Sequence, residues 1–248
     1  MNEILQVAMF AGQMILENGG ETYRVEETIW RICKIYGADE AESFATPTGI
    51  MASICHQGKT YSLTRRVSNR TVNLDKIDKV NDLSRSIQSK KLSVSDFKRE
   101  LDKINNLNTY SFLIVILFSG LAVGSFSILF GGNFKDAFSA FLIGLVIKGL
   151  ALKWSDVGIN TFFINSICGG ITALLAIIFF KLGISSQINQ TIIGSIMLLV
   201  PGLAITNAIR DTMSGDLLSG IIRASEAFLV AISIAVGTGA VLSFWISN

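Results

Sequence analysis

Residues 110–130, YSFLIVILFSGLAVGSFSILF, form a stretch of 21 residues with no charged side chain. At about 1.5 Å per residue, a helix of that length spans roughly 30 Å, the thickness of a bilayer's hydrocarbon core. Charge stays sparse from there to the end. Residues 110–248 carry 6 Lys/Arg and 5 Asp/Glu, against 15 and 14 in residues 1–109. Four more apolar runs follow the first: 137–152, interrupted by Lys148; 161–180; 192–209, with Pro201-Gly202 inside it; and 227–246, ending at Trp245, an aromatic anchor for the membrane surface. The mean hydropathy of +0.51 agrees. The expected architecture is a membrane all-α bundle of about five transmembrane helices (110–248), preceded by a small α+β cytoplasmic domain (1–109).

Upstream of residue 110 the periodicity is that of a folded soluble part. Ile4, Leu5, Ala8, Met9, Gly12, Ile15 and Leu16 repeat at helical spacing until Gly19-Gly20. A second helix is expected over 22–36, with Thr22 as N-cap and Gly37 as its stop. The pattern then shortens to strands at 43–46 and 50–56 around the turn Pro47-Thr48-Gly49, and at 60–67 after Gln57-Gly58-Lys59. Helical spacing returns over 74–89 and 93–105, the latter opening on Ser93-Val94-Ser95-Asp96. Met1-Asn2-Glu3 lacks the positive start of a signal peptide, so the domain is expected in the cytoplasm. Loop charges agree. With the N-terminus inside, the inner loops hold Lys153, Arg210 and Arg223, and the outer ones Lys135 and Lys181.

An ionisable group at membrane depth costs on the order of 2.5–3.5 kcal/mol and persists only when paired, hydrated or functional. Residues 201–226 concentrate such groups: Asn207, Arg210, Asp211, Asp216, Arg223 and Glu226. Asn207, Arg210 and Asp211 share a helix face by i, i+3, i+4 spacing. Two readings stand side by side: a cytoplasmic loop between the fourth and fifth spans, or a polar site at the inner mouth of a permeation path. Pro201-Gly202 would open the helix there, and broken helices offer free backbone groups to transported solutes. Lys148 either snorkels to the inner surface or faces the bundle interior. Asn160 and Asn165, at the start of the third run, read as interhelical hydrogen-bonding groups or as ligands. Gly120 and Gly124 mark a helix contact.

Other chemistries lack a signature. His56 is the sole histidine, which weakens any His-based metal site or Ser–His triad. Cys33, Cys55 and Cys168 have no metal-ligand spacing and read as free thiols. No glycine-rich loop leads into Lys-Ser/Thr, and Arg65-Arg66 and Lys90-Lys91 are pairs, not a nucleic-acid patch. No enzyme activity, metal, cofactor or nucleic acid is therefore expected. Homo-oligomerisation is left open.

Several stretches resemble the threonine/serine exporter family. They are Gly19-Gly20-Glu21-Thr22-Tyr23-Arg24-Val25-Glu26-Glu27-Thr28, Pro47-Thr48-Gly49-Ile50, the region from Arg65-Arg66 to Asn73-Leu74, and Pro201-Gly202 through Asn207-Ala208-Ile209-Arg210-Asp211 to Ser214-Gly215-Asp216-Leu217-Leu218-Ser219-Gly220. The chain resembles the larger subunit of the split, two-component form, a pattern also linked to succinate export. The resemblance implies proton-coupled efflux of a small hydroxy-amino acid or a dicarboxylate across the cell membrane, with a smaller membrane subunit as partner; the alternative is a membrane-anchored binding or regulatory module with no transport activity of its own. It also implies a substrate- or proton-binding role for Glu21, Arg24, Glu26, Pro47, Thr48, Gly49, Asn207, Arg210, Asp211 and Asp216. In that frame Asp211 carries the coupling proton and Arg210 pairs a substrate carboxylate.

Overall fold

The computed structural model of the protein describes residues 1–107 and 110–247. The expected boundary at residue 109, and the last residue, fall outside the described residues. The elements in order are α1 (Asn2–Glu17), α2 (Thr22–Ile35), β1 (Glu40–Thr46), β2 (Gly49–His56), β3 (Lys59–Arg66), α3 (Leu74–Lys90), α4 (Val94–Asn105), α5 (Phe112–Leu129), α6 (Phe134–Asp156), α7 (Thr161–Lys181), α8 (Ile188–Ile196), α9 (Gly202–Met213) and α10 (Leu217–Ile246). They form two compact units. The first joins Met1–Asn108 to Gly202–Ser225; the second joins Thr109–Pro201 to Glu226–Asn248.

In the first unit, β1, β2 and β3 make an antiparallel sheet in sequence order. Ile50, Ala52 and Ile54 alternate onto the buried face of β2, as period-two patterning requires. They meet a core centred on α1, where Leu5, Met9, Ile15 and Leu16 are all buried, with Ile29 and Ile32 from α2 and Phe97 and Leu101 from α4. Gly12 lets α2 approach closely, since a Cβ there would lie 2.7 Å from Ile29 Cδ1. Asn73 caps α3 by accepting from the Lys76 N–H, and Ser93 caps α4 through the Asp96 N–H. Thr22 is not the N-cap of α2. Glu21 holds that extended position, one residue earlier, and its side chain makes no cap bond.

The second unit is a helical bundle. Among the described residues, four helices are long and apolar enough to cross a membrane: α5, α6, α7 and α10. Small residues bring them together. Gly120 and Gly124 of α5 sit against α6, where added Cβ atoms would fall 2.9 Å from Phe141 and 3.0 Å from the Ala137 carbonyl. Gly237 of α10 packs on α7 so tightly that a Cβ would lie 1.8 Å from Ser166 O. Lys181 Nζ lies 4.3 Å from the centre of the Trp245 ring, which ties the ends of α7 and α10.

The run 192–209, expected as the fourth span, is not one helix. Pro201 lacks the N–H an α-helix needs and crowds the carbonyl four residues back, so α8 stops at Ile196 and 197–201 are irregular. At 9 residues α8 covers about 14 Å, half a bilayer core. Residues 202–209 belong to α9 in the first unit. The segment nevertheless travels the length of the bundle. Ser185, Ser186 and Gln187 donate to Asp136 at the start of α6. At the segment's other end, Leu198, Leu199 and Pro201 share a cavity with Ala151, late in α6, and Thr161, the first residue of α7.

Candidate functional site

The first unit holds a charge-paired polar site built from two stretches about 190 residues apart. The receiving half is the turn between α1 and α2. Gly19 adopts φ +93°, a left-handed conformation that glycine takes without strain, and turns the chain sharply. The carbonyls of Gly19 and Gly20, and the first N–H of α2, consequently have no partner within their own helices. The other half supplies partners. Asn207 Nδ2 donates to Gly19 O at 2.9 Å, and an Arg223 terminal nitrogen donates to Gly20 O at 2.7 Å. Asp211 Oδ1 accepts from the Thr22 N–H at 3.1 Å. A carboxylate at a helix N-terminus also meets the positive end of the helix dipole.

Asp211 and Arg223 form an ion pair, with Arg223 Nε 2.9 Å from Asp211 Oδ2 and side-chain exposures of 0% and 6%. The contact lies off the N–H axis, so it is electrostatic rather than a linear hydrogen bond. Beside it, Glu21 pairs with Arg24 Nε at 2.9 Å and with Arg210. Burial alone would raise the Glu21 carboxyl. Its own backbone N–H and the guanidinium groups of Arg24 and Arg210 outweigh that and hold it below the usual carboxylate range. Glu21, Arg24, Asn207 and Arg210 line a cavity of about 330 Å³, with Leu74 and Thr206 also on its wall. Two guanidinium groups facing one carboxylate leave the cavity hospitable to a further anion.

Glu26 and Asp216 behave differently. Glu26 Oε1 accepts from the Ala45 N–H at 2.8 Å, which ties α2 to β1. Burial pushes its carboxyl up, and the negative charges of Asp216 and Asp211 add to the rise. Asp216 is raised by burial and then by Asp211. The structure thus brings together Glu21, Arg24, Asn207, Arg210 and Asp211, with Glu26 and Asp216 within electrostatic reach of Asp211. Pro47, Thr48 and Gly49 lie apart from this network, at the β1–β2 turn, where Thr48 O accepts from the Val67 N–H at 3.0 Å. Arg223 completes the pair with Asp211, and in the sequence it stands out as an inner-loop charge and one of the ionisable groups of 201–226, with no sign of that partner.

Asp136 was not singled out at all. It is fully buried at the start of α6, where Oδ2 accepts from the Asn133 N–H. Its Oδ1 takes the Ser185 hydroxyl and the Ser186 and Gln187 N–H groups. With its oxygens occupied by donors, it serves as a structural tie between α6 and the α7–α8 loop. Asn133-Phe134-Lys135-Asp136 is a capping box, and that spacing was the available signal. The three cysteines are free; Cys33, in the core of the first unit, is pushed up to about 12 by burial.

Four long apolar helices joined to a unit rich in buried charge pairs define a multi-pass membrane protein of the transporter class. Residues 6–245 match the family model described as "Putative threonine/serine exporter", and the chain belongs to the threonine/serine exporter family. It is 25% identical to a protein of Klebsiella aerogenes named "Probable succinate transporter subunit YjjP", over 93% of this chain and 90% of that one. The Escherichia coli protein of the same name is also 25% identical, over 98% and 94%. The "Threonine/serine exporter" of Corynebacterium glutamicum is 26% identical over 70% of this chain, which covers 36% of its length. No solved structure matches.

Proposed function

We propose that the chain is the larger subunit of a secondary, proton-coupled exporter of small amino acids, threonine and serine, working with a smaller membrane subunit in the cell membrane. The observation that carries this reading is the docking of Gly19–Thr22 onto Asn207, Arg210, Asp211 and Arg223. This docking sets the guanidinium groups of Arg24 and Arg210 on one cavity and closes the buried Asp211–Arg223 ion pair behind it. Arg24 and Arg210 offer planar, bidentate donors to a substrate carboxylate, and Glu21 offers an acceptor to its ammonium group. Asp211 has both oxygens engaged and acts as a latch between the two stretches. Glu26 and Asp216, both raised, are the better carriers of a coupling proton, since a carboxyl works as a relay when its pKa approaches the working pH.

Succinate is the second substrate reading. It is favoured by the near full-length match to proteins named as succinate transporter subunits. In either case we place the soluble part in the cytoplasm, supported by Lys153, Arg210 and Arg223 on the inner side against Lys135 and Lys181 on the outer. The test is efflux of radiolabelled threonine, serine and succinate from proteoliposomes holding this chain and its partner, with and without a protonophore. Export of one solute that collapses with the proton gradient supports the reading. Solute retention under every condition refutes it.

A further inference from the structure

The second unit has a cavity of its own, about 290 Å³, lined by Lys148, Asn165, Thr161, Leu198, Leu199 and Pro201 among others. Three features of it are unusual for a membrane helix bundle. Lys148 lies within α6, eight residues from its end and therefore about 12 Å along the axis. Among the described residues no carboxylate stands within ion-pair distance of its ammonium group. Asn165 of α7 is 9% exposed, lines the same cavity, and its side chain has no protein hydrogen-bond partner among the described residues. Finally, Leu198, Leu199 and Pro201 bring the broken backbone of 197–201 onto the cavity wall, and non-helical chain at membrane depth persists where it lines a polar cavity.

A buried carboxamide and an ammonium group, each without a protein acceptor, converge on a space large enough for a small organic acid. Both supply N–H donors, and the cavity-lining residues include neither Asp nor Glu. We infer that this cavity is a carboxylate-binding station inside the membrane unit, with Lys148 as counter-charge and Asn165 as hydrogen-bond donor. That the bound carboxylate is the exported solute rests on the exporter reading above; that the site takes a carboxylate does not. An anionic lipid headgroup presents similar chemistry from another source, so the test must separate the two.

The test is lysine footprinting of the full-length wild-type protein. An amine-acylating reagent is applied in detergent micelles, and labelling at each lysine is read by mass spectrometry as succinate or L-threonine is raised against sodium chloride of equal ionic strength. Acylation of Lys148 should slow several-fold with either acid and not with chloride, while surface lysines such as Lys59 stay unchanged. Asn165→Ala should raise the protecting concentration by about ten-fold, the worth of one charge-neutral hydrogen bond. Lys148 labelled equally with and without acid overturns the proposal. So does protection that follows added phosphatidylglycerol and ignores the acids. If proteoliposomes with the partner move no solute while Lys148 is still protected, the exporter reading fails and the site stands. Efflux with an unprotected Lys148 gives the converse.

Discussion

At residue scale, Asp211 and Arg223 illustrate what buried charge does in the first unit. Each has other contacts: Asp211 holds the Thr22 N–H, and Arg223 holds Gly20 O. Asp211→Asn keeps an acceptor for Thr22 but removes a carboxylate from beside a guanidinium that is 6% exposed. Breaking such a pair from one side costs about 3 kcal/mol. Replacing both members with neutral groups should cost less than the single change. Melting of Asp211→Asn, Arg223→Met and the double variant in detergent checks this. A double variant as unstable as the sum of the singles would show that the two charges are not coupled. Loss of efflux in Asp211→Asn is expected alongside, as a consequence of the lost latch.

Glu26 and Glu21 respond to pH in opposite ways. The Glu26 carboxyl is raised in the fold, so the native state holds its proton more tightly than the unfolded chain. Its stabilising effect is therefore full below the ordinary value of 4.5 and is lost as pH rises through the raised folded value. Glu26→Gln, which keeps an acceptor for the Ala45 N–H, should raise the melting temperature at pH 7, and the gain should vanish below about pH 4.5. Glu21 is lowered, so its contribution is present above 4.5 and falls away as pH drops through the lower folded value. Glu21→Gln should then destabilise at pH 7 and be neutral at strongly acid pH. Thermal melts of both variants from pH 3 to pH 8 read the two signs directly.

At the scale of elements, apolar length and period were legible in the sequence and partnership was not. Helices α1 to α4 and strands β1 to β3 lie within a few residues of where the spacing of Leu, Ile and Val puts them, because each depends on local periodicity. The run at 192–209 misled for a physical reason. Hydropathy sums over side chains, whereas Pro201 acts on the backbone, and α9 then turns Asn207 and Asp211 into a partner 190 residues away. Likewise the Gly19–Glu21 turn was readable as a helix stop, but the donors and acceptors it leaves open carry no sequence signal of what fills them.

Close helix packing makes a second test at this scale. A Cβ on Gly237 would lie 1.8 Å from Ser166 O, a backbone atom that cannot move aside without shifting α7. Two positions on, Gly239 has no heavy atom within 4 Å of the same construction. Gly237→Ala should lower stability by at least about 2 kcal/mol through overpacking. Gly239→Ala should be neutral or gain up to about 1 kcal/mol from helix propensity. The comparison, by melting in one detergent, isolates packing from the loss of a glycine, since both variants share the latter.

At the scale of the whole molecule, chain parity constrains how the second unit lies in a bilayer. Residues 1–107 and 202–225 belong to one compact unit, and a single compact unit is expected to keep to one side of a membrane. Between them run α5, α6 and α7, three helices long enough to cross. Three crossings alone would leave residue 202 on the wrong side. We expect the missing crossing to fall to 188–201, where α8 contributes about 14 Å of helix and 197–200 continue in tight turns, with the Leu199 and Val200 N–H groups bonded back to Ile196 O. Its ends fit this path, with Gln187 beside the start of α6 and Pro201 beside the start of α7. On this path five passages are expected, four by the long helices α5, α6, α7 and α10 and one by the broken segment. Single-cysteine labelling on a cysteine-free background, with a membrane-impermeant maleimide on intact cells, tests the topology. Cysteines placed at Gly131, Gly183 and Ser247 should label from outside, and those at Asn69, Gly158 and Ser214 only after permeabilisation. External labelling at Ser214 with Asn69 protected would place 202–225 across the membrane from the N-terminal sheet, and the broken crossing would be wrong.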